Sequence, residues 1–178
     1  MMSLIFVDCE AVGPCPGLGV CTEFGAVEYV PLDDSLRMGG GEPHLGGSVS
    51  VGGPVGRTFR GILRNRSGSE ITGVDPLVVW RNFDTWLREV RGKGGVSMVS
   101  DNPAFDWMWV CDGLHRYVGS CILGHSARRI GDFYAGLTGD FRNTQRWKNL
   151  RVTPHDHDPV HDAMGNCEAF DRILRGER

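Results

Sequence analysis

Leu4-Ile5-Phe6-Val7-Asp8-Cys9-Glu10 opens the chain with four apolar residues that run straight into acid. An apolar run this short, with no polar alternation, reads as a buried strand. Successive strand side chains point to opposite faces, so Asp8 and Glu10, two apart, project together and Cys9 projects the other way. Two carboxylates thus leave one face of the strand, a pattern that taken alone reads as a solvated strand face.

A second run of the same kind, Val96-Ser97-Met98-Val99-Ser100, leads through Asp101-Asn102-Pro103-Ala104-Phe105 to a third acid, Asp106. Near the C-terminus stands His157-Asp158-Pro159-Val160-His161-Asp162. Asp is a favoured N-cap and Pro a favoured first helical residue, so Asp158-Pro159 predicts a helix start. Ala163, Cys167, Phe170 and Leu174 then fall on one apolar stripe. Asp162 lies in the first turns, where the helix dipole favours a carboxylate, and His157 just precedes them.

Between these landmarks, Gly13 to Gly19 reads as a loop and residues 23–30 as a strand returning beside the first. Residues 57–63 read as a third strand, and 65–69 as a turn. From Asp75, the spacing of Val78, Val79, Phe83, Trp86, Leu87 and Val90 predicts a helix ended by Gly92, Gly94 and Gly95. A second helix from Pro103 carries Trp107, Val110, Leu114 and Val118, and a third covers 126–137. Residues 39–56 are glycine-rich and poor in large apolar groups, as in a flexible surface insertion. The order of elements predicts an α/β layer fold, with a fifth strand left unplaced.

Three stretches together resemble the DEDDh branch of the DEDD superfamily of 3′-to-5′ exonucleases, the group of proofreading subunits and RNase T. FVDCEAVG stands where that family has Asp-x-Glu, NPAFD where it has Phe-Asp, and HDPVHDA where it has His, four residues, Asp and Ala. The resemblance implies an RNase H-like mixed β-sheet flanked by α-helices, with residues 1–178 as one domain. It implies Asp8, Glu10, Asp106 and Asp162 as ligands of two Mg2+ or Mn2+ ions, and His157 as general base on the attacking water. The substrate it implies is the single-stranded 3′ end of a nucleic acid, RNA favoured over DNA, released as nucleoside 5′-monophosphates. Relatives include dimers, so a homodimer is among the assemblies it admits.

The chemistry suits those residue types. Phosphodiester hydrolysis needs a nucleophile to approach an anion and a leaving oxygen to take up charge, and a pair of divalent cations addresses both. Hard cations take oxygen ligands, which carboxylates supply, and an imidazole titrates close enough to neutrality to abstract a proton. The backbone at Ala11, Val12 and Gly13, just past the first motif, could approach a terminal nucleotide. Phe59, Phe105 and Trp147 are aromatic candidates for stacking a base.

Composition bounds these readings. With 178 residues, 40% of them hydrophobic, the chain can build one core. No apolar stretch approaches a membrane span, and the first residues lack a basic flank, so a cytoplasmic protein without a leader is expected. The six cysteines form no Cys-x-x-Cys pair and read as reduced thiols. A net charge of −3 argues against a broad basic surface and for local phosphate contacts. Candidate sources are residues 57–66 and 128–151. Two rival readings stand beside this one. His155, His157 and His161 could serve a zinc hydrolase, although the Asp-His that a metallo-β-lactamase carries after its second histidine is replaced by Pro159-Val160. A nuclease fold that binds nucleic acid without cleaving it is the other.

Overall fold

A computed structural model describes residues 2–31, 53–63, 65–67 and 70–178. Its centre is a five-stranded mixed sheet in the order β3-β2-β1-β6-β7. β1 (Ser3–Val12) pairs antiparallel with β2 (Val20–Tyr29), which pairs antiparallel with β3 (Val55–Ile62). On its other side β1 runs parallel to β6 (Val96–Ser100), which runs parallel to the two-residue β7 (Arg128–Arg129). β4 (Asn65–Ser67) and β5 (Glu70–Thr72) pair antiparallel as a separate two-stranded sheet.

Helices cover both faces. α1 (Pro76–Val90) and α2 (Pro103–Val118) pack on one, where Ile5, Val7, Cys9, Phe24, Met98 and Trp80 share a core. α4 (Pro159–Leu174) packs on the other with α3 (Ile130–Thr138) and the 3-10 helix Arg146–Leu150, around Phe6, Val27, Val99, Ile130 and Trp147. The alternation along β1 explains the site to come. Phe6 anchors the α4 face, and the next two residues on that face are Asp8 and Glu10.

Several expectations need correction. Of the turn expected at 65–69, Asn65–Ser67 form the strand β4, paired with β5, and residues 68–69 lie outside the described residues. The predicted helix 126–137 begins only at Ile130, because Arg128 and Arg129 hydrogen-bond alongside β6 and supply the fifth strand. Two arginines carry no hydrophobic signature of a strand, since β7 is a short edge. In α1 the buried stripe runs through Val79, Trp80 and Phe83 while Val78 is exposed, and in α4 Ile173 rather than Leu174 is buried. Of the predicted insertion at 39–56, residues 39–52 lie outside the described residues. Val55 and Gly56 begin β3.

One packing contact sets the position of α4. Gly25 lies opposite Asp8 in the β1–β2 register, and a Cβ added to it would fall 2.3 Å from the Pro159 carbonyl carbon and 2.4 Å from the Val160 nitrogen. Only a residue without a side chain lets the first turn of α4 lie this close to the sheet. Replacing it forces backbone apart rather than a flexible side chain. Gly25→Ala is therefore expected to cost about 1–3 kcal/mol, as overpacking does. Denaturant unfolding of that variant checks this, and wild-type stability would show that the close approach at Gly25 does not constrain α4.

Candidate active site

Three segments bring the site together. β1 contributes Asp8 and Glu10 at its C-terminal end, beside an irregularity in its pairing with β2 between Glu10 and Ala11. Such bulges re-aim side chains, and here Thr22 fills the gap with a hydroxyl donated to the Glu10 carbonyl at 3.0 Å. α4 contributes Asp162. Ligand oxygens of Asp8, Glu10 and Asp162 lie within 4.8 Å of one another.

Asp106, in the first turn of α2, is not among those three, but it lies close enough to Asp8 to raise that carboxyl. Its carboxylate accepts the Cys9 N–H at 3.1 Å and the Ser100 hydroxyl, so β1 and β6 both fix it. Ser100 in turn accepts the Asn102 N–H at 2.9 Å. Neither Cys9 nor Ser100 was singled out from sequence as a support for the site. A residue's backbone N–H leaves no mark on its side-chain identity.

The start of α4 is tightly specified. Asp158 caps it, accepting from the Val160 and His161 N–H groups at 3.0 and 3.1 Å. Arg60 on β3 grips the same carboxylate at 2.5 Å and also pairs with Glu23 on β2. Arg60 holds the Asp158 carboxyl below its usual range. His157, just before the cap, has a left-handed backbone with φ 62°, the only such non-glycine among the described residues. That turn brings its ring back over β1, where Nδ1 lies 3.7 Å from Glu10 Oε1. Strain of this kind persists when surrounding structure imposes it, and it is frequent at functional sites.

The acids act on one another. Burial, followed by repulsion from Asp106, Asp162 and Glu10, pushes the Asp8 carboxyl from 3.8 up to about 8, with Arg151 opposing. Burial also lifts Asp106 to about 7 against the hydrogen bonds from Ser100 and Cys9. Asp162 is 1% exposed, and neither of its carboxylate oxygens has a hydrogen-bond partner. Buried carboxylate oxygens are normally satisfied. Orphaned oxygens among converging acids are what a divalent cation would complete, so these residues fit hard-cation binding.

Basic groups lie around this acidic centre. The Arg151 guanidinium packs 5.2 Å from the Trp147 ring centroid and hydrogen-bonds Asn166 of α4, while its Nε has no partner. Lys148 Nζ pairs with Asp101 at 2.5 Å, and Arg129 Nε donates to the Asp101 carbonyl at 3.0 Å. From the other predicted basic stretch, Arg57 and Arg60 are engaged with Glu28, Glu23 and Asp158.

Among the aromatic candidates, two are corrected. Trp147 is fully buried in the α4-side core, donates Nε1–H to the Thr144 carbonyl at 2.9 Å and is flanked by Arg151, leaving no face for a base. Phe59 sits on the opposite face of β3 from the site, against Phe24, Phe83 and Trp86. Phe105 is partly buried next to Asp106 and packs edge-on to Trp109. Ala11 and Val12 extend directly from Glu10, with Val12 63% exposed, and Gly13 turns the chain at φ 100°. The proposed triad of histidines does not form either. His161 pairs with Asp156 at 2.9 Å, apart from the His155–His157–Asp162 group.

The raised Asp8 and Asp106 values make a prediction for metal-free protein. The native state keeps a proton on Asp8 from 3.8 up to about 8, and on Asp106 up to about 7, where the unfolded chain has released it. The unfolded state then binds fewer protons, so this contribution to stability is present at low pH and is lost as pH rises through that window. In chelator, the melting temperature should fall with rising pH more steeply for the wild type than for Asp8→Asn. Parallel profiles would remove Asp8 as the source.

No protein-family model matches the sequence, and no curated protein matches it. Solved structures do. A full-length 3′-exonuclease superposes with TM-score 0.60 at 13% identity, covering 98% of this chain and 82% of that one. Exonuclease I from Methylocaldum szegediense gives TM-score 0.60 at 14% identity, covering 99% of this chain and 42% of that one. The zinc-bound E. coli exonuclease I complex with single-stranded DNA gives 0.57 at 14%, covering 98% and 40%. The chain thus spans about two-fifths of the exonuclease I chains. Likeness at this identity is likeness of fold, and by that measure this chain has, over nearly all its length, the RNase H-like fold found in these 3′-exonucleases.

Proposed function

We propose that this protein is a metal-dependent 3′-to-5′ exonuclease acting on single-stranded ends. The observation that carries the proposal is the convergence of Asp8, Glu10 and Asp162 within 4.8 Å, with Asp106 fixed alongside, in a fold shared with 3′-exonucleases. Solved exonuclease I structures hold single-stranded DNA, which puts DNA ends on equal footing with the RNA ends favoured from sequence.

Asp8, Glu10, Asp106 and Asp162 would hold two Mg2+ or Mn2+ ions. Such ions supply charge neutralisation for an attacking and a leaving oxygen. The protein's own groups do the rest. His157 is exposed and stands over Glu10, free to take a proton from water at the phosphorus. The backbone at Ala11, Val12 and Gly13 and the ring of Phe105 would contact the terminal nucleotide. Arg151 and Lys148 offer positive charge at the rim for the phosphate backbone. Every acid the chemistry needs is present, which favours an active enzyme over a fold that only binds.

His157→Ala is expected to retain Mn2+ binding while turnover falls by about 10²–10⁴-fold, the usual share of general base catalysis. Full turnover by that variant refutes the role. Asp162→Asn should lose both metal binding and turnover. A time course on matched 3′-labelled and 5′-labelled RNA and DNA oligomers, with magnesium, manganese or chelator, tests the function as a whole. Single-nucleotide release from the 3′ label first, absent in chelator, is expected; internal cuts or 5′ release would overturn the assignment.

A further inference from the structure

His155 is not needed by the chemistry above, yet it is one of the groups closest to Asp162. Its Nδ1 lies 2.6 Å from Asp162 Oδ2 without the geometry of a hydrogen bond. The left-handed turn at His157 folds the two imidazoles together, with ring centroids 4.5 Å apart. Ligand atoms of His155, His157 and Asp162 all lie within 4.8 Å, and Glu10 Oε1 is 3.7 Å from His157 Nδ1.

This donor set differs in kind from the carboxylate group beside it. Two imidazole nitrogens with one or two carboxylate oxygens suit a borderline cation of the Zn2+ type, which takes nitrogen and oxygen in four-coordinate sites. Mg2+ prefers oxygen alone. We propose that His155, His157 and Asp162 form a second cation site, selective for Zn2+ over Mg2+, and that filling it silences the centre by occupying the His157 lone pair. The binding half stands on geometry alone. The silencing half rests on the nuclease reading.

The two halves are tested separately. Co2+, a spectroscopic substitute for Zn2+, is titrated into metal-free wild type, His155→Gln and His161→Gln, and Zn2+ affinity is measured by calorimetry on the same proteins. His155 is half exposed, so its replacement leaves both cores intact; circular dichroism verifies the fold. Wild type and His161→Gln should show intense visible bands of low-coordinate, nitrogen-ligated Co2+. His155→Gln should lose them and bind Zn2+ at least about tenfold more weakly, the low end of what even an outer partner contributes. Equal Zn2+ affinity in His155→Gln and wild type, or only the faint bands of oxygen-ligated Co2+, overturns the site. Zn2+ added to magnesium-loaded enzyme should then stop wild-type turnover at concentrations that His155→Gln tolerates. Undiminished wild-type turnover at calorimetric saturation overturns the silencing. A protein with no nuclease activity under any metal would fail the nuclease reading while leaving the Co2+ and Zn2+ binding results to decide the site.

Discussion

The seating of one helix turn against one glycine underlies the functional end of this molecule. Asp8 and Glu10 come from β1 and Asp162 from α4, with about 150 residues of chain between them. Their distance is set by how deeply α4 can settle on the sheet, and that depth is set at Gly25, where backbone meets backbone. Arg60 then locks the same turn from the side by tying its cap, Asp158, to β2 and β3. A cap residue ordinarily finishes one helix. Here it also registers that helix against two strands.

Gathering the acids carries an electrostatic cost that shows in Asp8 and Asp106. Both carboxyls are driven toward neutrality by burial, and Asp8 also by its neighbours. The structure offsets part of this with Arg151 near Asp8, and with the Ser100 hydroxyl and Cys9 N–H on Asp106. It leaves Asp162 with both oxygens buried and without a hydrogen bond, His155 Nδ1 lying 2.6 Å from Oδ2. A site balanced this way is stable enough to fold and still gains by taking up positive charge.

The net charge of −3 reflects 22 acids against 19 bases. Much of the basic sequence is spent internally: Arg57 and Arg60 hold acids of the sheet and the α4 cap, and Arg88 and Arg116 pair along their own helices. From the segment between α3 and α4, Arg151 lies near enough to oppose the rise of the Asp8 carboxyl, while Lys148 is itself paired with Asp101.

The sequence by itself determined the elements whose signals are local. β1 and β6 are apolar runs, α4 begins at an Asp-Pro cap, and the period-two spacing of Asp8 and Glu10 set their shared face. Those features depend on neighbouring residues only, so they are legible one segment at a time. β7 was not legible, because two arginines become a strand only when β6 lends them hydrogen bonds. Nor were the burial of Trp147, the turning away of Phe59 and the separation of His161 from His155. Each depends on which face of an element meets which neighbour, and an isolated segment has no neighbour to specify it. The tertiary structure alone decided that Gly25 had to be bare and that the Cys9 N–H would hold Asp106, since these are contacts between residues far apart in the chain, and it also fixed the shorter-range seating of Ser100 on Asp106 and of His155 against Asp162.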